Sequence, residues 1–431
     1  MASKLHLETA LTPDGWRHDV VVTIDHGSIV GLEPAGATNA QRVSGVVVPG
    51  LPNLHSHAFQ RAMAGLTERR GSKADSFWTW REAMYRFVER LGPDEMEAIA
   101  TFAYMEMLEA GFTSVAEFHY LHHQPDGRPY DNIAEMSQRI VAASDTAGIG
   151  LTLLPVLYRQ GGFFGRPPAE AQRRFLNDRD SYARLMETRV PGGAIGIAPH
   201  SLRAVTLDDL KWAAETWRGK PAHIHISEQT REVDECLALH GERPIDLLLD
   251  TVEVDAQWCL VHATHADAVE IERIAGAGAT VGLCPITEAN LGDGLFDVPL
   301  LLKKGGRFGV GSDSNVRISA ADELRTLEYG QRLFHRQRNV LGDPARSTGR
   351  HLFEGALGTN AIAPGQRADF LVLEANGLRD DAVLDHWLFT ADNTAIKSVY
   401  CAGLQKVQNG RHVDRETIAV RYGKTVERLL A

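Results

Sequence analysis

Between residues 113 and 313, short apolar runs rich in β-branched residues alternate with longer segments of helical period. Seven runs fall at 113–118, 150–157, 194–198, 222–226, 259–262, 280–284 and 308–311, and a valine-rich run at 45–49 precedes them, making eight. The intervening segments carry helix punctuation. One covers 94–109 and is stopped by Gly111, and another covers 132–147 and is stopped by Gly148. Thr206, with Asp209 three residues on, reads as an N-cap opening a helix over 207–218. Eight strands alternating with helices predict an α/β fold, a parallel sheet closed as a (β/α)8 barrel of TIM type.

The flanks follow a different rhythm. Residues 1–47 and 364–431 hold short alternating runs at 19–24, 370–373 and 398–401, separated by Gly and Asp turns. A few lone strands cannot bury their apolar faces, so both chain ends are expected to join as a small β-sandwich domain, with 48–363 as the barrel. An insertion at about 60–90 contains Phe77-Trp78-Thr79-Trp80-Arg81 and is too long for an ordinary βα loop. It reads as a lid or substrate-binding excursion, or as a peripheral packing element.

Composition narrows the picture. With 431 residues, 44% of them hydrophobic, the chain can build a large core without disulfide staples. The four cysteines, Cys236, Cys259, Cys284 and Cys401, are scattered and form no C-x-x-C pair, which suits a reducing compartment. The first residues lack the apolar run of a signal peptide, and no stretch approaches the ~18 apolar residues of a membrane span. The expected address is the cytoplasm. A net charge of −11 argues against nucleic acid or an anionic membrane as partner. An acidic surface can still hold a local cationic pocket.

The candidate chemistry sits at the strand ends. Asn53-Leu54-His55-Ser56-His57 follows the first run, and residues two apart in an extended segment face the same way. Two neutral imidazoles at that spacing suit one Zn²⁺. A second H-x-H, His223 and His225, lies on the 222–226 strand. Barrel active sites form at C-terminal strand ends, so His225 is the better ligand and His223 lies a layer deeper. Glu228 falls at that strand's exit, within reach of an activated water. His262 ends the next strand, where it is either functional or a satisfied core histidine. Asp313, after the last strand, is either functional or a helix cap. Four strand ends each offering metal or acid–base groups point to a metal enzyme.

These residues resemble the amidohydrolase superfamily of metal-dependent hydrolases. The matching pieces are Pro49-Gly50-Leu51-Pro52-Asn53-Leu54-His55-Ser56-His57, His225-x-x-Glu228, His262, Gly311-Ser312-Asp313-Ser314 and the stretch from Pro364 to Leu373. The resemblance implies that His55, His57, His225 and Asp313 bind metal, while Glu228, His262 and Asp313 serve catalysis by proton transfer and polarisation. Two-metal members carry a bridging lysine from the middle strands. Here no lysine occurs between Lys73 and Lys211, so one divalent ion is expected, zinc or else iron.

Closer still, the chain resembles the formimidoylglutamate deiminases of histidine degradation. The supporting residues are His57-Ala58-Phe59-Gln60-Arg61-Ala62, the Phe77–Arg81 motif, Glu117-Phe118-His119-Tyr120 and Pro199-His200-Ser201-Leu202-Arg203. This resemblance implies Gln60 at the formimino end, and Arg81, Tyr120, His200 and Arg203 at the carboxylates of a dicarboxylate substrate. Guanidinium forks match carboxylates bidentately, as such a substrate requires. It also implies a homodimer. His119, His122 and His123 are expected on the loop surface or behind the ligands. Two other readings stand beside this one: an aminohydrolase of a purine, pterin or triazine ring with the same metal centre, and a non-catalytic structural homologue.

Overall fold

The computed structural model describes residues 2–36, 39–68 and 76–431. Its centre is a ring of eight parallel strands: β1 (Leu51–Ser56), β2 (Phe112–His119), β3 (Gly150–Leu157), β4 (Ala194–Ile195, continued by Ala198–Pro199), β5 (Ala222–Ile226), β6 (Trp258–His262), β7 (Thr280–Leu283) and β8 (Arg307–Val310). They form two arcs, β1–β4 and β5–β8. Parallel bridges between Ile197 and Ala222 and between Ser56 and Asp313 join the arcs into a barrel. The second seam is a pair of backbone hydrogen bonds, Asp313 N–H to the His55 carbonyl and His57 N–H to the Asp313 carbonyl, each 2.9 Å. Closure of the barrel and assembly of the candidate ligands are therefore one event.

The helices begin and end where their punctuation dictates. Pro93–Glu109 starts with Pro at its first position, and Glu135–Ala147 ends at Gly148 in the left-handed region, φ 79°. Thr206 caps Leu207–Thr216 by accepting from the Asp209 N–H at 3.0 Å.

The valine-rich run at 45–49 is not a barrel strand. It belongs to Gln41–Pro49, which pairs with Phe370–Leu373 in an eight-stranded sheet built from both chain ends. The first barrel strand is instead Leu51–Ser56, whose inward places go to Asn53 and His55 and whose apolar signal is correspondingly weak. The chain crosses from one sheet to the other at Gly50, where a Cβ would stand 2.2 Å from the Thr113 side chain. Only glycine passes there.

A second difference lies at the C-terminus, where Arg415–Leu430 is a helix rather than part of the small sheet. It packs on Pro93–Glu109 through a Phe102–Tyr422 ring stack with centroids 3.9 Å apart and through the ion pairs Arg421–Glu97 and Arg428–Glu95. Within the insertion expected at 60–90, a 3-10 turn (Ala58–Met63) and a helix (Phe77–Val88) are formed, and 69–75 lie outside the described residues. Among the described residues no helix is long and apolar enough to cross a membrane.

Candidate active site

His55, near the end of β1, faces the barrel axis, and His57 follows just beyond the strand. Their Nε2 atoms lie 3.1 Å apart, and Nε2 of His225, from the end of β5, lies 3.0 Å from that of His55. Asp313 Oδ1 stands 3.4 Å and 3.3 Å from the Nε2 atoms of His55 and His57. All four side chains are buried. A tetrahedron with bonds of ~2.0–2.1 Å has edges of about 3.3 Å, so the spacings suit the ligand shell of one ion. The tautomers suit it as well. Nδ1 of His57 donates to the Phe118 carbonyl (2.9 Å) and Nδ1 of His225 to the His200 carbonyl (3.1 Å), which leaves each Nε2 lone pair facing the centre. Burial, reinforced by neighbouring histidines, pushes His55 down to about 3, and burial lowers His57 and His225 too. Burial opposes ionisation of Asp313, yet its contacts with His55 and His57 hold it well below the usual carboxylate range. Converging neutral nitrogens and a carboxylate repel one another through their lone pairs unless a cation stands among them. The donor set fits one divalent metal.

The backbone around this centre is bent. Ser227 (φ 49°), His262 (φ 67°), Ala263 (φ 50°), Asp313 (φ 44°) and Asn315 (φ 55°) are all left-handed, at the exits of β5, β6 and β8. Such conformations cost about 1–3 kcal/mol each in non-glycine residues and persist where function needs a side chain re-aimed. Glu228, just past Ser227, is buried in the cavity wall, and desolvation raises its proton affinity against the pull of His262 and Arg203. His262 Nδ1 lies 3.2 Å from Glu288 Oε1. Burial disfavours the imidazolium, but Glu288, Glu228 and Asp313 together push His262 up to about 10. A carboxyl of raised proton affinity and a cationic imidazole thus face one cavity, the pairing expected of an acid–base site.

That cavity opens over the ligand cluster and shares His57, His225 and Asp313 with it. Its wall brings together Gln60, Arg81, Tyr120, His200 and Arg203, the five residues nominated for substrate. Gln60 donates from Nε2 to the Tyr120 hydroxyl at 2.8 Å, while its buried Oε1 has no partner. His200, lowered by burial and by the nearby Arg203, is neutral. Arg203 is buried between Glu228 and Glu232, with each carboxylate 3.5 Å away and its Nε without a hydrogen bond. Among the described residues Arg81 has no carboxylate or hydrogen-bond partner and rests against the rings of Trp78 and Tyr85.

Several participants carry no mark in the sequence reading. Glu288 follows β7 in Cys284-Pro285-Ile286-Thr287-Glu288, a carboxylate just past a strand end, which is the signal that marks it. Glu232 lies four residues past Glu228, in the first turn of the helix Thr230–His240. Tyr158, Phe175 and Tyr85 line the cavity from three separate segments, which no local motif unites. His119, His122 and His123 are not on the surface. All three are buried, and Nε2 of His122 and of His123 bonds to the carbonyls of Val156 (3.1 Å) and Leu176 (2.6 Å). The reason is that residues 120–123 run inward beneath the segment of Arg174, whose carbonyl accepts the N–H groups of both His122 and His123.

Comparison with known proteins converges on one family. The amidohydrolase family pattern matches residues 46–406. Formimidoylglutamate deiminase of Pseudomonas aeruginosa is 48% identical over 99% of this chain and 100% of its own length. Among solved structures, an amidohydrolase from Brucella melitensis superposes with a TM-score of 0.96 at 48% identity, covering both chains entirely. An adenosine deaminase from Xanthomonas campestris with bound zinc shares the fold, with a TM-score of 0.79 at 20% identity over 99% of this chain and 98% of its own.

Proposed function

The chain belongs to the amidohydrolase family, and from that footing we propose that it hydrolyses N-formimidoyl-L-glutamate to N-formyl-L-glutamate and ammonia, a step of histidine degradation. One observation supports the substrate most directly. A single cavity beside the ligand cluster holds an acceptor without a partner, Gln60 Oε1, and two guanidiniums, Arg81 and Arg203. An amidine N–H matches the first, and the carboxylates of glutamate match the others.

His55, His57, His225 and Asp313 would hold a divalent ion, which would supply Lewis acidity and a nucleophile from water near neutral pH. The chain's own groups do the rest. Gln60 accepts from the amidine and turns its carbon toward the cluster. Glu228 receives the proton of the attacking water and passes it to the departing nitrogen, for which its raised proton affinity suits it. His262, held by Glu288, donates toward the charge developing on the substrate. Asp313, ionised and buried, shares the proton path while it holds the ion. Tyr120 and His200, in the same cavity wall, join Arg81 and Arg203 in meeting the carboxylates.

The proposal extends to zinc as the resident ion, given the nitrogen-rich donor set, and to a cytoplasmic address, which four buried unpaired cysteines favour. It extends also to a homodimer, since Leu333 and Phe334 stand 81% and 70% exposed, side by side on one helix. The deciding measurement is ammonia release from formimidoyl-L-glutamate, formimidoyl-L-aspartate, guanine and adenosine. Preference for the first by at least 100-fold is expected. Comparable turnover of a purine would transfer the chain to the ring aminohydrolases.

A further inference from the structure

Three guanidiniums converge on one indole. The Trp78 ring lies 4.6 Å from the guanidinium carbon of Arg81, 4.8 Å from that of Arg231 and 5.9 Å from that of Arg203. The three arginines come from different places: Arg81 from the helix Phe77–Val88, Arg203 from the loop after β4, and Arg231 from the helix after β5. Like charges repel, so such a cluster needs something to gather it. Arg203 has Glu228 and Glu232, and Arg231 has Glu235 at 2.8 Å. Arg81, among the described residues, has only the rings of Trp78 and Tyr85. A ring face attracts a cation through its quadrupole without using up the N–H donors along the guanidinium edge. A carboxylate partner would occupy those donors.

We propose that Trp78 is the positioning residue of the carboxylate site, its indole gathering Arg81, Arg203 and Arg231 so that the donors of Arg81 stay free for one carboxylate of a dianionic substrate. The inference rests on the substrate reading above. It makes Arg231, outside the cavity wall, a contributor to selectivity through the field it adds. Glu235 and Arg231 form an exposed pair on their helix, so neutralising Arg231 leaves the ligand cluster untouched.

The test uses the zinc-loaded full chain in three variants, Trp78→Leu, Trp78→Phe and Arg231→Met, with circular dichroism to check folding. Two readouts are taken: KM and kcat for formimidoyl-L-glutamate against formimidoyl-L-glutamine, and the calorimetric Kd of glutarate, a dicarboxylate that does not react. In Trp78→Leu, KM for the glutamate compound and Kd for glutarate should both rise about tenfold, the size of a lost partly buried cation–π contact. Its kcat should stay within about threefold, and the preference for glutamate over glutamine should shrink. Trp78→Phe should recover most of the loss, and Arg231→Met should weaken glutarate about threefold. Unchanged glutarate Kd and KM in folded Trp78→Leu would overturn the inference. So would an equal rise in KM for both substrates, and a misfolded Trp78→Leu leaves Arg231→Met and Trp78→Phe to decide it by the same glutarate readout. If the wild type binds glutarate and loses it on substitution yet does not turn over formimidoyl-L-glutamate, the substrate reading fails and the clamp stands.

Discussion

At the scale of single residues, the site is defined by charges that burial has made expensive. Arg203 is such a residue: its guanidinium has two carboxylates at 3.5 Å but no close hydrogen bond from Nε, so it has capacity to spare for a ligand. Replacing Arg203 with Met should lower kcat/KM for formimidoyl-L-glutamate by about 30-fold to several thousandfold, the range for losing one partner of a buried charged hydrogen bond. Arg128→Met is the control, since Arg128 is 77% exposed and pairs only with Asp126. Zinc stoichiometry should match the wild type in both. Glu228→Gln should cost about 10²- to 10⁴-fold in kcat with metal content unchanged, and full activity would remove Glu228 from the proton path. Glu117 illustrates the same economy in a supporting place. Burial raises its carboxyl to about 8, against the Ala58 N–H that it accepts at 2.7 Å. Its folded-state proton affinity exceeds that of the unfolded chain, so its contribution to stability is complete below pH ~4.5 and is lost as pH rises through about 8. Glu117→Gln mimics the protonated form at every pH. Melting temperature should therefore fall between pH 5 and 8.5 in the wild type more than in the variant, and parallel curves would show that Glu117 is ionised throughout.

At the scale of elements, the barrel was legible because its helices end on glycines and its strands are continuous apolar runs. Seven of the eight runs at 45–49 and 113–311 lie on barrel strands, and the exception is instructive. Leu51–Ser56 carries chemistry at its inward positions, so the functional strand reads as less strand-like than Gln41–Pro49, a packing strand beside it. The metal ligands could be read because each sits at a strand end, whose place in a barrel is fixed by topology. Glu288, Glu232 and Tyr158 meet the site through contacts between distant segments, and such contacts leave no local periodicity. The same limit hid the tight seam between β8 and β1. A Cβ on Gly311 would lie 2.6 Å from the His55 nitrogen and 2.7 Å from its carbonyl oxygen. Gly311→Ala must push the His55 backbone outward, an overpacking strain of about 1–3 kcal/mol delivered to a ligand. Zinc affinity, titrated against a competing chelator, should fall at least tenfold. Gly276→Ala is the matched control, in a helix with open space around its Cα, and should be neutral or slightly stabilising. Equal zinc affinity in the two variants would mean that β1 yields without moving its histidine.

At the scale of the whole molecule, the question is what the metal holds together. The barrel seam is closed by main-chain bonds of His55, His57 and Asp313, whose N–H and carbonyl groups are not metal ligands. One contiguous core runs from the strands through the surrounding helices to Trp387 and Leu429 near the chain's end, and a second fills the sheet made by both termini. The C-terminal helix clasps this assembly, with Arg90 donating to the Leu429 carbonyl at 2.8 Å. A chain of 431 residues with that much buried apolar surface does not depend on four ligand side chains for its fold. Chelation should therefore abolish turnover yet leave far-UV circular dichroism at 25 °C unchanged. The melting temperature should still fall, because an ion that binds only the folded state stabilises it by RT ln(1 + [L]/Kd), about 4 kcal/mol at a thousandfold excess over Kd. Part of that loss is electrostatic: without the cation, Asp313 and the lone pairs of three histidines face one another. Zinc added back should restore both melting temperature and activity with the same stoichiometry, one per chain. Collapse of the circular dichroism on chelation, or two ions needed for recovery, would mean that the centre is structural or binuclear.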